Sequence, residues 1–210
     1  MTAAATGTPG AGGTPPARPR PVPLPARLRE GTRDLHDAVE RGLDWERRVA
    51  TRAGYRDLLA RWYGFHATFE PAAAAAFAGE EAFFGPRRKL HLLRRDLLHL
   101  GMSAAEVDAL PVCRPQVPMP TRAEALGALY VLEGSTLGGR RVARRVGRAL
   151  GLTARGGCAY YAGYGPGGTG PMWRAFQDAL SDQVSPETHD AAVHAARRTF
   201  ERLRDWFAGA

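Results

Sequence analysis

Residues 28–43 read LREGTRDLHDAVERGL, and this stretch decides the fold. Leu28, Thr32, Leu35, Val39 and Leu43 recur at three- and four-residue spacing, the period of one apolar stripe along a helix. The same period continues outward. A second helix is expected from Tyr55 to Phe69, between Gly54 and Pro71, and a third after Pro86, carrying Leu90, Leu93, Leu97 and Leu100 and stopping at Gly101. The proline-rich run 111–120 reads as a loop. Thr121 and Glu124 then open a long helix in the manner of a capping box, and it reaches Leu150. A glycine-rich loop, a short helix from Pro171 to Leu180 and a last helix from Ser185-Pro186 to near Phe207 complete the pattern. No segment alternates like a strand, so the sequence predicts one all-α domain over residues 27–210. Residues 1–26, dense in proline and glycine, bury too little surface to offset their ordering entropy and read as a disordered tail.

Composition bounds the function classes. A chain of 210 residues with 44 % hydrophobic and 24 % charged residues is not wholly disordered and suits one domain. Cys113 and Cys158 are too few for a disulfide framework, and no CxxC pair offers a zinc site. There is no apolar run of membrane-spanning length and no secretory leader, so a cytoplasmic setting is expected. Lys+Arg 29 against Asp+Glu 21 leaves a charge of +8. Nearly all of it is arginine, Lys89 being the single lysine. A GC-rich coding bias accounts for the arginine, as does an anionic partner.

Several familiar motifs fail on context. Gly163, Gly165 and Gly168 match a dinucleotide fingerprint, but no strand precedes them and Pro166 lies inside. No phosphate loop, no HExxH and no Glu-x-x-His occurs. His36 sits beside the apolar stripe of the first helix, with Glu40 one turn on to accept a hydrogen bond from the ring. His66 and Glu70 repeat that spacing, so spacing alone does not choose between the two histidines. Gly134, Gly138 and Gly139 fall inside the long helix, where each costs about 1 kcal/mol relative to alanine. Gly134 and Gly138 share a face. Close helix packing and a flat ligand lying against bare backbone explain them equally well.

Taken together, these residues resemble a known family. The segment from Leu28 to His36, with Glu40, resembles the first helix of heme oxygenases, and Tyr130-Val-Leu-Glu-Gly134-Ser-Thr-Leu-Gly138-Gly139 is similar to their kinked distal helix. Trp62-Tyr-Gly-Phe-His66 and Gly168-Thr-Gly-Pro-Met-Trp173-Arg-Ala-Phe176 resemble bacterial members, those associated with bacteriophytochromes above all. The likeness runs from about Leu28 to Phe207. It implies a heme-oxygenase-like helical bundle with heme between the two helices, cleaved by O2 and electrons to biliverdin, CO and ferrous iron. It further implies His36 as the proximal iron ligand with Glu40 behind it. Arg29 and Arg33 would meet the propionates, with Tyr130 and Arg174 as weaker candidates, and Gly134, Gly138 and Gly139 would press distal backbone onto the ring. Relatives carry an aspartate after the first distal glycine to hold a proton-relaying water; Ser135 stands there, leaving that task to Ser135, Thr136 or an arginine.

Implied partners are heme, an acidic electron donor such as a ferredoxin or flavodoxin, and a bacteriophytochrome receiving biliverdin. The stripe Arg140, Arg141, Arg144, Arg145 and Arg148 reads either as a solvated face or as the donor's docking patch. A heme carrier or sensor on the same fold is the alternative. A nucleic-acid-binding helical protein would leave His36 and Gly134 unexplained, and neither nucleic acid nor membrane is expected as a partner.

Overall fold

The computed structural model describes residues 22–209, and within them the chain is helical with no strand. In chain order the helices are α1 (Leu24–Gly31), α2 (Arg33–Leu43), α3 (Trp45–Arg48), α4 (Arg52–Ala76), α5 (Glu81–Phe84) and α6 (Leu90–His99). They continue as α7 (Ala104–Asp108), α8 (Arg122–Leu150), α9 (Ala159–Ala162), α10 (Thr169–Gln183) and α11 (His189–Ala208). The long α8 packs along α11, α2 also lies on α11, and α4 packs on α6. Tyr55, Phe65, Phe69, Phe84 and Phe176 fill the centre, fully buried.

Several boundaries differ from the sequence reading: α4 starts at Arg52 rather than Tyr55, and α10 spans Thr169–Gln183 rather than Pro171–Leu180. The first stripe is two helices, because Thr32 leaves helical geometry (φ −122°, ψ 2°). Its hydroxyl donates to the Leu28 carbonyl at 2.7 Å, a local bond that competes with helix continuation. Helix α4 runs through Pro71 to Ala76 rather than ending at Phe69, the packing of Phe69 and Ala73 outweighing the donor that proline lacks. Order also begins earlier than Arg27: α1 starts at Leu24, which is buried. The remainder of the proposed tail, residues 1–21, lies outside the described residues. Thr121 caps α8 as expected, accepting from the Glu124 N–H at 3.3 Å, and a full capping box stands at Ser103 and Glu106, on an α7 that the periodicity did not reveal.

Two glycines show what close helix contact requires. A Cβ on Gly127 of α8 would stand 2.0 Å from the Ala192 carbonyl oxygen of α11. One on Gly64 of α4 would stand 2.3 Å from the Pro111 oxygen. Backbone against backbone, these positions admit no side chain.

Candidate functional site

A cleft of about 1020 Å³ opens beside α8, at the upper end of the range for small-molecule sites. Its rim is exposed and includes Arg29, Arg33, His36, Glu40, Ser135, Leu137 and Gly138; its floor is buried and includes Trp62, His66, Lys89, Tyr160 and Tyr161. Phe200 and Leu203 of α11 line it as well. The structure therefore brings most of the sequence-selected residues together: Arg29, Arg33, His36 and Glu40 from α1 and α2, and Tyr130, Gly134, Ser135, Gly138 and Gly139 from α8. Arg174 is the exception. On α10 the cleft is met by Trp173 and Gln177, and Arg174, turned about 100° from Trp173 by helical geometry, is exposed outside it.

The glycines divide by what they face. Nothing lies within 4 Å of a Cβ placed on Gly138, and one on Gly134 meets only the Trp173 ring, at 3.9 Å. Helix packing does not account for these two, which leave bare backbone along the cleft. Gly139 differs: it is buried, and its Cβ would stand 3.2 Å from the Tyr161 carbonyl oxygen, so it also serves the approach of α9.

The two cleft histidines, identical in spacing, differ in surroundings. His66 is locked: Nδ1 lies 2.9 Å from Glu70 Oε1, and Nε2 lies 3.3 Å from the Tyr160 hydroxyl. Glu70 Oε1 also accepts from the backbone N–H groups of Lys89, at 2.6 Å, and Leu90, at 2.8 Å. Burial would raise the Glu70 carboxyl, but the His66 hydrogen bond and charge and the two N–H donors outweigh it and hold it below the usual range. The His36 side chain is half exposed, its ring edge-on to Phe200. Glu40 Oε1 is 3.7 Å from its Nε2 and Asp37 Oδ1 is 3.7 Å from its Nδ1, within ion-pair range and beyond hydrogen bonding. The expected His36–Glu40 hydrogen bond is thus relaxed to charge proximity here.

Around the floor the polar groups are linked. Tyr161 accepts from Trp62 Nε1 at 2.9 Å. The Tyr164 hydroxyl donates to buried Glu133, the residue before Gly134, and Arg87 Nε is 3.6 Å from the same carboxylate. Burial pushes the Glu133 carboxyl up, against the Tyr164 hydrogen bond and the charges of Lys89 and Arg87. Ser135 and Thr136 donate their hydroxyl hydrogens to the Leu132 and Glu133 carbonyls, at 2.8 and 2.6 Å, and keep their lone pairs for the cleft. At the other end Tyr130 stacks at a tilt on Trp173, ring centroids 5.6 Å apart. Burial raises its hydroxyl, opposed by nearby Arg29. Arg29 and Arg33 have no carboxylate partner among the described residues. An apolar, aromatic floor, bare backbone on one wall and two unpaired guanidiniums at the rim suit a flat ring bearing carboxylates.

Sequence reasoning missed Lys89, Tyr160, Tyr161 and Phe200. Only Lys89 carried a signal, as the single lysine of an arginine-rich chain.

The heme oxygenase family model matches residues 22–209. A heme oxygenase from Xanthomonas campestris pv. campestris is 40 % identical over 126 residues, 58 % of this chain and 68 % of that protein. Heme oxygenase-1 from the cyanobacterium Synechocystis, solved in complex with heme, superposes with a TM-score of 0.73 at 20 % identity, covering 90 % of this chain and 92 % of that one. The heme oxygenase of Neisseria meningitidis superposes with a TM-score of 0.70 at 23 % identity, covering 89 % and 93 %. At such identities the structural likeness speaks for the fold.

Proposed function

Because the chain belongs to the heme oxygenase family and is a heme oxygenase enzyme, we propose that heme lies in the α8 cleft with His36 as its proximal ligand. Bound heme supplies the iron that activates O2 and the macrocycle that is opened to biliverdin, CO and ferrous iron. One observation carries the assignment: of the two histidines lining the cleft, His66 has both nitrogens engaged, whereas His36 has neither within hydrogen-bond distance of a carboxylate. Neutral imidazole, rather than thiolate, suits this chemistry, and both cysteines are buried with neither lining the cleft.

The remaining residues bind, orient and exclude. Asp37 and Glu40 hold negative charge beside the His36 ring, one near each nitrogen, so whichever nitrogen is turned from the iron has a carboxylate to face its proton. Arg29 and Arg33 meet the propionates at the rim, with Tyr130 beside them. Gly134 and Gly138 bring backbone close to the ring face, leaving space for a diatomic molecule but for no second protein ligand. Ser135 and Thr136 offer acceptor lone pairs to a water there. The exposed Arg140, Arg144, Arg145 and Arg148 form a docking face for an acidic donor such as a ferredoxin or flavodoxin. Arg141 is partly spent on Glu46, at 2.8 Å. We assign the enzyme to the cytoplasm, where a bacteriophytochrome would receive its biliverdin. No helix among the described residues is long and apolar enough to cross a membrane. The catalytic domain in this reading includes α1 from Leu24 onward, whose Pro25 and Ala26 line the cleft.

An absorption titration with hemin, followed by ascorbate in air, tests this with wild type and His36→Ala side by side. A one-to-one Soret complex that bleaches into a bile-pigment band, lost in the variant, is expected. A Soret complex unchanged in the variant removes His36 as the ligand.

A further inference from the structure

Lys89 stands at the start of α6, only 4 % exposed, on the floor of the cleft. Its Nζ lies 3.4 Å from the centroid of the Tyr164 ring. Among the described residues that ammonium has no hydrogen-bond acceptor and no carboxylate within ion-pair distance. The acids that act on it have partners of their own: Glu70 has His66 and two backbone N–H groups, and Glu133 accepts from Tyr164 through Oε1 with Arg87 Nε 3.6 Å from its other oxygen. The residue is buried along its stem while its ammonium opens onto the cleft, so the fold leaves these N–H donors to whatever occupies that space. Of the other donors lining the cleft, Ser135 and Thr136 donate to backbone carbonyls, and His66 and Tyr160 contact one another.

We propose that Lys89 is the hydrogen-bond and proton donor that the floor of the cleft presents to an oxygen acceptor on the α8 face of the bound ring. The proposal rests on the heme reading above. In the transfer, an ammonium N–H bond breaks, its proton goes to the acceptor oxygen, and the neutral amine regains a proton from water in the cleft. The surroundings suit a reversible donor. Burial pushes Lys89 down to about 8, while Glu133 of α8 and Glu70 of α4 draw it up and Arg87 on its own segment lowers it further. The Tyr164 ring lies against it, and Tyr160 and His66 line the same floor.

Because Lys89 is the chain's single lysine, lysine labelled with 13C at Cε gives one side-chain resonance, which reports its protonation. The full-length protein would be titrated alone, with gallium protoporphyrin and with zinc protoporphyrin. Both porphyrins carry the propionates, but the gallium centre retains an axial oxygen ligand beyond histidine and the zinc centre does not. The expected result is a midpoint near 8 in the free protein and a shift of about half a unit or more with gallium alone. Equal shifts with both porphyrins would mean that the ammonium answers the propionates, and would overturn the proposal. So would no shift with either, or an ordinary lysine midpoint in the free protein. Failure of any porphyrin to bind is seen in the absorption spectrum and counts against the heme reading itself. As a second readout, ascorbate-driven turnover should fall as pH rises through 8 in wild type and stay level there in Lys89→Arg, whose guanidinium keeps its proton. Parallel profiles would assign Lys89 a structural role.

Discussion

His66 Nδ1 and Glu70 Oε1 are 2.9 Å apart, whereas His36 and Glu40, at the same four-residue spacing, stand 3.7 Å apart. The first pair is buried between α4 and the start of α6 and serves the fold; the second is half exposed at the cleft. Glu70→Gln should therefore lower stability at neutral pH by about 1–3 kcal/mol, the cost of disturbing a buried charge-assisted contact. Because the folded Glu70 carboxyl is held below its usual value, its contribution is present above the unfolded carboxylate range and lost as pH falls through the folded value. Urea unfolding from pH 7 downward through the acid range checks this: the gap between wild type and variant should narrow once pH falls below the ordinary carboxylate value, and close only beneath the folded one.

The glycines of α8 should separate by experiment. Gly127→Ala forces a Cβ to 2.0 Å from backbone and should lower the melting temperature sharply or abolish folding. Gly138→Ala meets nothing and should raise helix stability by roughly 0.5–1 kcal/mol, yet weaken hemin binding. Thermal melts beside hemin titrations distinguish the two. Unchanged hemin affinity in Gly138→Ala would mean that the ring does not approach this backbone.

Arg29 and Arg33 line the cleft without carboxylate partners among the described residues. Replacing both with alanine should leave the melting temperature within about 2 °C, since surface substitutions of this kind rarely matter to stability. Hemin affinity should fall about tenfold, more steeply at low salt than at high. Arg174→Ala should change neither, because Arg174 lies outside the cleft.

Charge reversal of Arg144 and Arg145 should slow turnover driven by an acidic reductase at low ionic strength by about tenfold or more, and leave ascorbate-driven turnover unchanged. Equal slowing with both donors would remove the docking face.

Much of this site was legible before folding because helices write their faces into sequence. Leu28, Leu35 and Val39 announced the stripe that seats His36 at the edge of the core. Gly134 and Gly138 announced a bare face, though not whether protein or ligand meets it. Arg174 shows the limit: a loop of glycines precedes it, and nothing local fixes which side of α10 turns inward. Thr32 broke the first helix through a side-chain bond that periodicity does not register.

The sequence by itself determined the all-α class, the two helices that line the cleft and the histidine and glycines they carry, since each depends on spacing within one helix. The tertiary structure alone decided which of two equally spaced histidines is locked, what Gly138 and Gly139 face, and that Lys89 opens onto the floor of the cleft. Those outcomes rest on contacts between residues far apart in the chain, such as His66 with Tyr160 and Lys89 with Tyr164, and on how much water each contact leaves behind.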